Sequence, residues 1–154
     1  MPATIDSRYR LHDYAGLNLT AATPNEAELE AAHHARIGTK GTQLDDLARR
    51  TMTKLGLPGL VVTRGRDGMA VFERGRAGQA LGVFGSDQAV DVTGAGDTVI
   101  AVLTLALAAG ATLVEAAQLA NYAGGIVVMK RGTATVTREE LLGAIRAEAT
   151  GGAG

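Results

Sequence analysis

Between a short apolar segment and a long apolar one lies the run Asp91-Val92-Thr93-Gly94-Ala95-Gly96-Asp97. Two glycines let the backbone turn its amides inward where the following apolar helix starts. Amides gathered at a helix N-terminus make a seat for an anion. Asp97 stands in the first turn of that helix, beside the seat. Phosphoryl transfer needs a holder for developing negative charge and a carboxylate that takes a proton from an attacking hydroxyl. Two other phosphate signatures fail here. A dinucleotide fingerprint asks for a third glycine where Val99 stands. A Walker A loop asks for Gly-Lys-Ser/Thr, and Gly38-Thr39-Lys40-Gly41 has the letters in another order. The plainer reading is a glycine turn in which Asp97 only complements the helix dipole. Two aspartates and Thr93 in one run favour the chemical reading.

The rest of the composition bounds the partners. The 154 residues are enough for one domain with a core. A formal net charge of −1 and 3% aromatics leave no basic stripe for nucleic acid or an acidic membrane surface. Cysteine is absent, which excludes disulfides, thiolate metal sites and cysteine nucleophiles. The first residues have no apolar signal core. The apolar stretch Val99 to Ala111 contains Thr104 and is too short to span a bilayer. A cytoplasmic location is the expectation.

Periodicity and turn chemistry predict an α/β layer structure. Residues 1–22 leave room for one strand remnant. Thr23-Pro24-Asn25-Glu26 reads as a helix start with Thr23 as N-cap, and that helix ends near Gly38. A second helix starts at Thr42 and buries Leu44, Leu47, Ala48, Thr51 and Leu55, with Gly56 ending it. Strands follow at Leu60 to Thr63, Met69 to Glu73 and Gln79 to Phe84. The helix from Ala95 to about Ala109 is apolar nearly all round, which predicts a central buried helix. Capping boxes at Thr112 and Thr137 open two more helices, reaching about Met129 and Glu148. One domain over 1–149 and a flexible tail over 150–154 are expected. Adjacent helix residues point about 100° apart, so His33 and His34 read as a surface helix end and not a metal grip.

The heptad resembles the second signature of the PfkB/ribokinase family of carbohydrate kinases. Asn25-Glu26-Ala27-Glu28 is similar to that family's Asn-x-x-Glu motif, and Thr63-Arg64-Gly65 to its strand-end Thr-x-Gly. The resemblance implies a ribokinase-like three-layer α/β/α sandwich, of which this is the C-terminal, nucleotide-binding half. It implies Asp97 as catalytic base and Gly94, Ala95 and Gly96 as the anion hole. Asn25 and Glu28 would organise Mg²⁺ and phosphates; they are spaced to share a helix face. Thr63 and Gly65 would contact ATP, with Arg64 left open between phosphate and solvent. Asn121 would line the adenine pocket. A monovalent cation such as K⁺ would sit under the anion hole on Asp91 and backbone near Thr93, Val127 and Gly132. Val136 stands where some relatives carry a hydroxyl. Asp91 to Val99 and Gly132 to Val136 most resemble the family's heptose-7-phosphate kinase branch.

The resemblance covers the rear half of the family's pattern. Its front half carries the early strands, the sugar pocket and a lid. The expectation is therefore a kinase of a sugar or sugar phosphate using ATP, Mg²⁺ and K⁺, with a partner chain or a second copy completing the sheet. The alternative is a non-catalytic nucleotide-binding or partner-binding module derived from such a kinase.

Overall fold

The computed structural model describes residues 1–6, 10–38, 42–85 and 94–151. Five strands form one sheet in the order β1 to β5: β1 (Thr4–Ile5), β2 (Ala21–Ala22), β3 (Gly59–Thr63), β4 (Met69–Glu73) and β5 (Gln79–Leu81). β1, β2 and β3 are mutually parallel; β4 and β5 add on as antiparallel strands. The helices are α1 (Glu26–His33), α2 (Thr42–Leu55), α3 (Ala95–Ala108), α4 (Leu113–Val128) and α5 (Arg138–Gly151).

Side chains alternate across the sheet, as a period of two requires. Ala22, Leu60, Val62, Ala70 and Phe72 pack with Leu29 of α1 and Leu44, Leu47, Met52 and Leu55 of α2. Ala21, Val61, Met69 and Val71 pack on the opposite face with Val99, Leu103 and Ala106 of α3 and Leu113, Ala116, Ala117 and Ala120 of α4. Two helical layers on one mixed sheet give the expected α/β/α sandwich. The buried stripe predicted for α2 is the observed one, with Met52 added. Among the described residues no helix is long and apolar enough to cross a membrane.

Several expectations are corrected. Residues 1–22 hold two strands and a 3-10 turn, Leu11–Tyr14, where one strand remnant was expected. The first helix is capped by Asn25 and not Thr23. Extended backbone persists past β2 because Thr23 N donates to Ile5 O at 3.0 Å and Thr63 N to Pro24 O at 3.0 Å. Thr23 is thereby buried inside the sheet and cannot cap. The fifth strand stops at Leu81, three residues short of Phe84, because the chain then leaves the sheet to lie on α4. α3 is not buried all round. Val99, Leu103 and Ala106 face inward, while Leu105 is 70% exposed. The central helix is α4, which packs against α3, α5 and β4. α5 runs to Gly151, past the expected end near Glu148.

His33 is more than a surface helix end. Its Nε2 lies 2.7 Å from Thr51 Oγ1, and its ring meets that of His12 edge-on at 5.2 Å. Lys54 Nζ lies 2.9 Å from His12 Nδ1. Burial holds both imidazoles below the usual histidine range, helped by Lys54 at His12 and by Arg50 at His33.

Candidate active site

The three parallel strands end on one side of the sheet, and each end delivers a polar residue. Asp6 follows β1, Asn25 follows the extension of β2, and Thr63 closes β3. Asn25 and Thr63 pair in a parallel bridge. Carboxyl ends of parallel strands are where open α/β sheets bind ligands. Asn25 also caps α1. Its Oδ1 accepts from Glu28 N at 2.8 Å, and Glu28 Oε2 accepts from Asn25 N at 2.9 Å. The two residues expected to share a face thus meet in a reciprocal capping box.

The N-terminus of α3 comes to the same side. Gly94 is its N-cap at φ 77°, ψ 0°, a left-handed conformation that favours glycine. Gly94 brings no side chain to cap the first amides of α3, and such a helix N-terminus is a seat for an anion. Asp97 lies in this first turn and is exposed. A methyl group added at Gly96 would sit 3.8 Å from Asp6 Oδ2, so a second carboxylate stands beside the glycine turn. Asp91 and Thr93 lie outside the described residues, as do Thr39 to Gly41.

A cleft of about 340 Å³ opens between this turn, the β3–β4 turn and α4. Thr63, Gly65, Ala95, Gly96 and Asn121, all predicted from sequence, line it together. Met69, Val83, Val99 and Val128 supply its apolar part. Gly94, Asp97 and Asn25 do not line it: Gly94 and Asp97 adjoin the lining in sequence, and Asn25 neighbours Thr63 through a backbone bridge.

Asn121 does more than line the cleft. Its Nδ2 donates to Gly82 O at 2.7 Å, pinning the segment that leaves β5. Gly125 admits that segment: a methyl group there would come within 2.4 Å of Phe84 O. The Phe84 ring stacks edge-on against Tyr122 at 4.7 Å. Tyr122 in turn donates to Glu148 of α5, whose carboxylate raises the phenol above its usual range.

The backbone atoms proposed for a monovalent cation are partly engaged. Val127 is fully buried in α4, and its carbonyl accepts Lys130 N at 3.0 Å. Gly132 follows at φ 71° in a loop whose Thr133 Cγ2 would lie 4.0 Å from a methyl group at Gly94. Lys130 holds that loop by donating to Thr135 O at 2.7 Å and pairing with Glu140 at 2.7 Å.

Two features were missed in the sequence. Asp6 had one signal, its place directly after a strand. The other is the Glu26–Arg64 ion pair, whose members stand 38 positions apart and carry no mutual signal. Arg64, left open between phosphate and solvent, is paired at 2.7 Å and only 24% exposed.

Residues 7–140 match the pfkB family carbohydrate kinases. The chain belongs to that family. It is 46% identical over 150 residues to the bifunctional protein HldE of Mesorhizobium japonicum, covering 94% of this chain and 28% of that protein. The pfkB chain thus spans little more than a quarter of that relative. Arabidopsis thaliana ribokinase, solved with ribose and ATP, superposes with a TM-score of 0.76 at 26% identity, covering 95% of this chain and 45% of that one. Phosphofructokinase-2 of Escherichia coli, solved with potassium, has the same fold at TM-score 0.75 and 20% identity, covering 86% of this chain and 42% of that one. The ribokinase-like fold expected from the glycine motif is the one observed.

Proposed function

We propose that this chain is the nucleotide-binding portion of an ATP-dependent kinase acting on a hydroxyl of a sugar or sugar phosphate, of the heptose phosphate type. One observation carries the reading. The N-terminus of α3, with Asp97 in its first turn, shares a cleft with Thr63, Gly65 and Asn121 near the carboxyl ends of the parallel strands.

In this reading the nucleotide base lies in the apolar part of the cleft near Asn121. Its phosphates run past Thr63 and Gly65 toward α3. The sugar hydroxyl gives its proton to Asp97, and its oxygen forms the new bond to the γ-phosphorus. The bond from that phosphorus to the bridging oxygen breaks, and its electron pair leaves with ADP. The amides of Gly94, Ala95 and Gly96 hold the non-bridging oxygens while charge shifts. Orientation dominates such a reaction, so the placement of the first turn of α3 matters as much as the base.

Among the described residues no three metal-ligating side chains cluster. Mg²⁺ does not need such a cage; it keeps waters and takes one or two carboxylates plus substrate phosphates. Asp6, Asn25 and Glu28 fit that donor set, and Mg²⁺ bound there would neutralise phosphate charge. K⁺ would be held by Asp91 and by backbone near Thr93, Val127 and Gly132.

A second reading is supported by the share of its relatives that the chain spans. It matches 45% of the ribokinase chain, so contacts to the acceptor would come from elements beyond this sequence. Alone, the chain would bind nucleotide without sugar-dependent turnover, and a partner chain or second copy would complete it.

Titration calorimetry with ATP and Mg²⁺, then a coupled ADP assay over a sugar panel, tests both. The kinase reading expects Asp97→Asn to lower turnover by about 10³-fold with ATP affinity unchanged. Sugar-dependent ADP release that ignores Asp97→Asn would overturn it. ATP binding without sugar-dependent ADP release selects the second reading.

A further inference from the structure

A second concavity lies on the other face of the sheet, between the 3-10 turn, α1 and α2. It has a volume of about 520 Å³ and shares no lining residue with the cleft. His12, His33, Arg49, Arg50 and Lys54 line it, and among the described residues no carboxylate does.

The cations differ in what already holds them. Arg49 is spent within the fold: its Nε meets Asp45 at 2.9 Å and its Nη2 donates to Arg76 O at 2.8 Å. Arg50 meets Asp46 at a longer 3.5 Å, with both side chains more than half exposed, so that pair is weak. Lys54 meets no carboxylate among the described residues; its Nζ lies 2.9 Å from His12 Nδ1. An ammonium has only donors, so His12 Nδ1 is the acceptor. The imidazole thus orients the lysine without cancelling its charge. Arg50 and Lys54 stand four apart on α2, which puts them on one helix face.

His33 is oriented too. Thr51 gives its one hydroxyl proton to Leu47 O at 2.9 Å, so His33 Nε2 donates to Thr51 Oγ1. Protonating this ring adds a hydrogen at Nδ1. The gathered charges oppose that step. Burial and then Lys54 lower His12, against Asp13; burial and then Arg50, His12 and Lys54 lower His33, against Asp46. An anion in the concavity relieves this repulsion. A guanidinium fork and an ammonium point charge on one face match the oxygens of a phosphate group.

We propose that this concavity is a binding site for a small phosphate-bearing anion, held by Arg50 and Lys54 and separate from the cleft. The inference stands independently of what the cleft binds.

The test follows the ring protons of the three histidines by NMR. The full chain is titrated with inorganic phosphate, glucose 6-phosphate, glucose or chloride at constant ionic strength. His12 and His33 line the concavity, while His34 does not and serves as an internal reference. Phosphate should shift His12 and His33 saturably with one Kd, leave His34 in place, and raise the pH midpoint of His33. Arg50→Gln and Lys54→Gln should each weaken binding about tenfold. Both residues are exposed, so neither substitution touches the core. Arg146→Gln on α5 should behave as wild type. Glucose 6-phosphate binding more tightly than inorganic phosphate makes a phosphate ester the ligand; equal or weaker binding makes it the free ion.

Shifts that never saturate, that appear equally at His34, or that chloride or glucose reproduces would overturn the inference. So would an unchanged Kd in either Arg50→Gln or Lys54→Gln. A cluster that only complements the C-terminal turns of α1 and α2 would give that result.

Discussion

Arg64 and Glu26 form an ion pair at 2.7 Å that ties the first residue of α1 to the turn after β3. It bridges the two segments that carry Asn25 and Gly65. Both side chains are about two-thirds covered or more, at 24% and 33% exposure, so the pair is worth more than a fully solvated one. Arg64→Ala and Glu26→Ala should each cost about 1 kcal/mol in urea denaturation, and the double variant should cost less than their sum. Additive losses would show that the two residues act independently.

Asn25 has two separable duties. Asn25→Ala should lower stability by about 1 kcal/mol through loss of the cap. Asn25→Asp keeps a capping oxygen and should leave the denaturation midpoint near wild type. In the proposed kinase Asn25 belongs to the Mg²⁺ donor set, so Asn25→Asp should still change ATP affinity, and with it the Mg²⁺ dependence of binding. Equal ATP affinity in Asn25→Asp and wild type would confine Asn25 to capping.

Gly125 is set by close approach of backbone. A methyl group would press on Phe84 O at 2.4 Å, and a carbonyl cannot swing away as a flexible side chain can. Gly125→Ala should destabilise by about 1–3 kcal/mol. It should also push Gly82 off Asn121, visible as faster amide exchange in residues 82–84.

The paired imidazoles give a pH dependence with a definite sign. His12 and His33 titrate below their unfolded range of about 6.5 in the folded chain. In that window the unfolded chain binds more protons, so stability rises with pH. The contribution is complete above about pH 6.5 and is lost as pH falls from there toward the folded values. Urea midpoints measured from pH 7.5 to 5 should fall, and His33→Gln should flatten the slope. A midpoint that rises on acidification would contradict the burial of these rings.

Leu105 stands 70% exposed on the outer face of α3, flanked by exposed Ala101 and Ala108. β1 pairs only with β2 among the described residues, which makes it an edge strand of the described sheet. Thr4 of that strand meets Thr104 of α3 at 2.6 Å, which places β1 beside this helix. In the reading that a second copy completes the sheet, Leu105→Glu should reduce self-association in sedimentation velocity while changing stability by less than about 0.5 kcal/mol.

The elements from Thr42 to Glu73 were legible in the sequence because periodicity and turn residues there agree. The α3 entry was legible for the same reason, since Gly94 is needed at a conformation few residues adopt. The cap of α1 was misread because Thr23 has the right chemistry and is drawn into the sheet by pairing with Ile5, a contact no local window contains. Burial of α3 was overestimated because its apolar composition is uniform, and only packing on α4 decides which face turns inward. The cleft residues were named individually through the family resemblance. Their meeting depends on tertiary contacts such as Asn121 to Gly82, whose partner is a backbone carbonyl and leaves no trace in residue identity.

Asp6, Asn25 and Thr63 close three neighbouring strands at the same edge. A molecule spanning them acts as a clasp on the chain termini of those strands. Occupancy and integrity of the sheet are then one equilibrium, and a saturating ligand would protect amides far from the cleft, down to the opposite ends of β1 and β3.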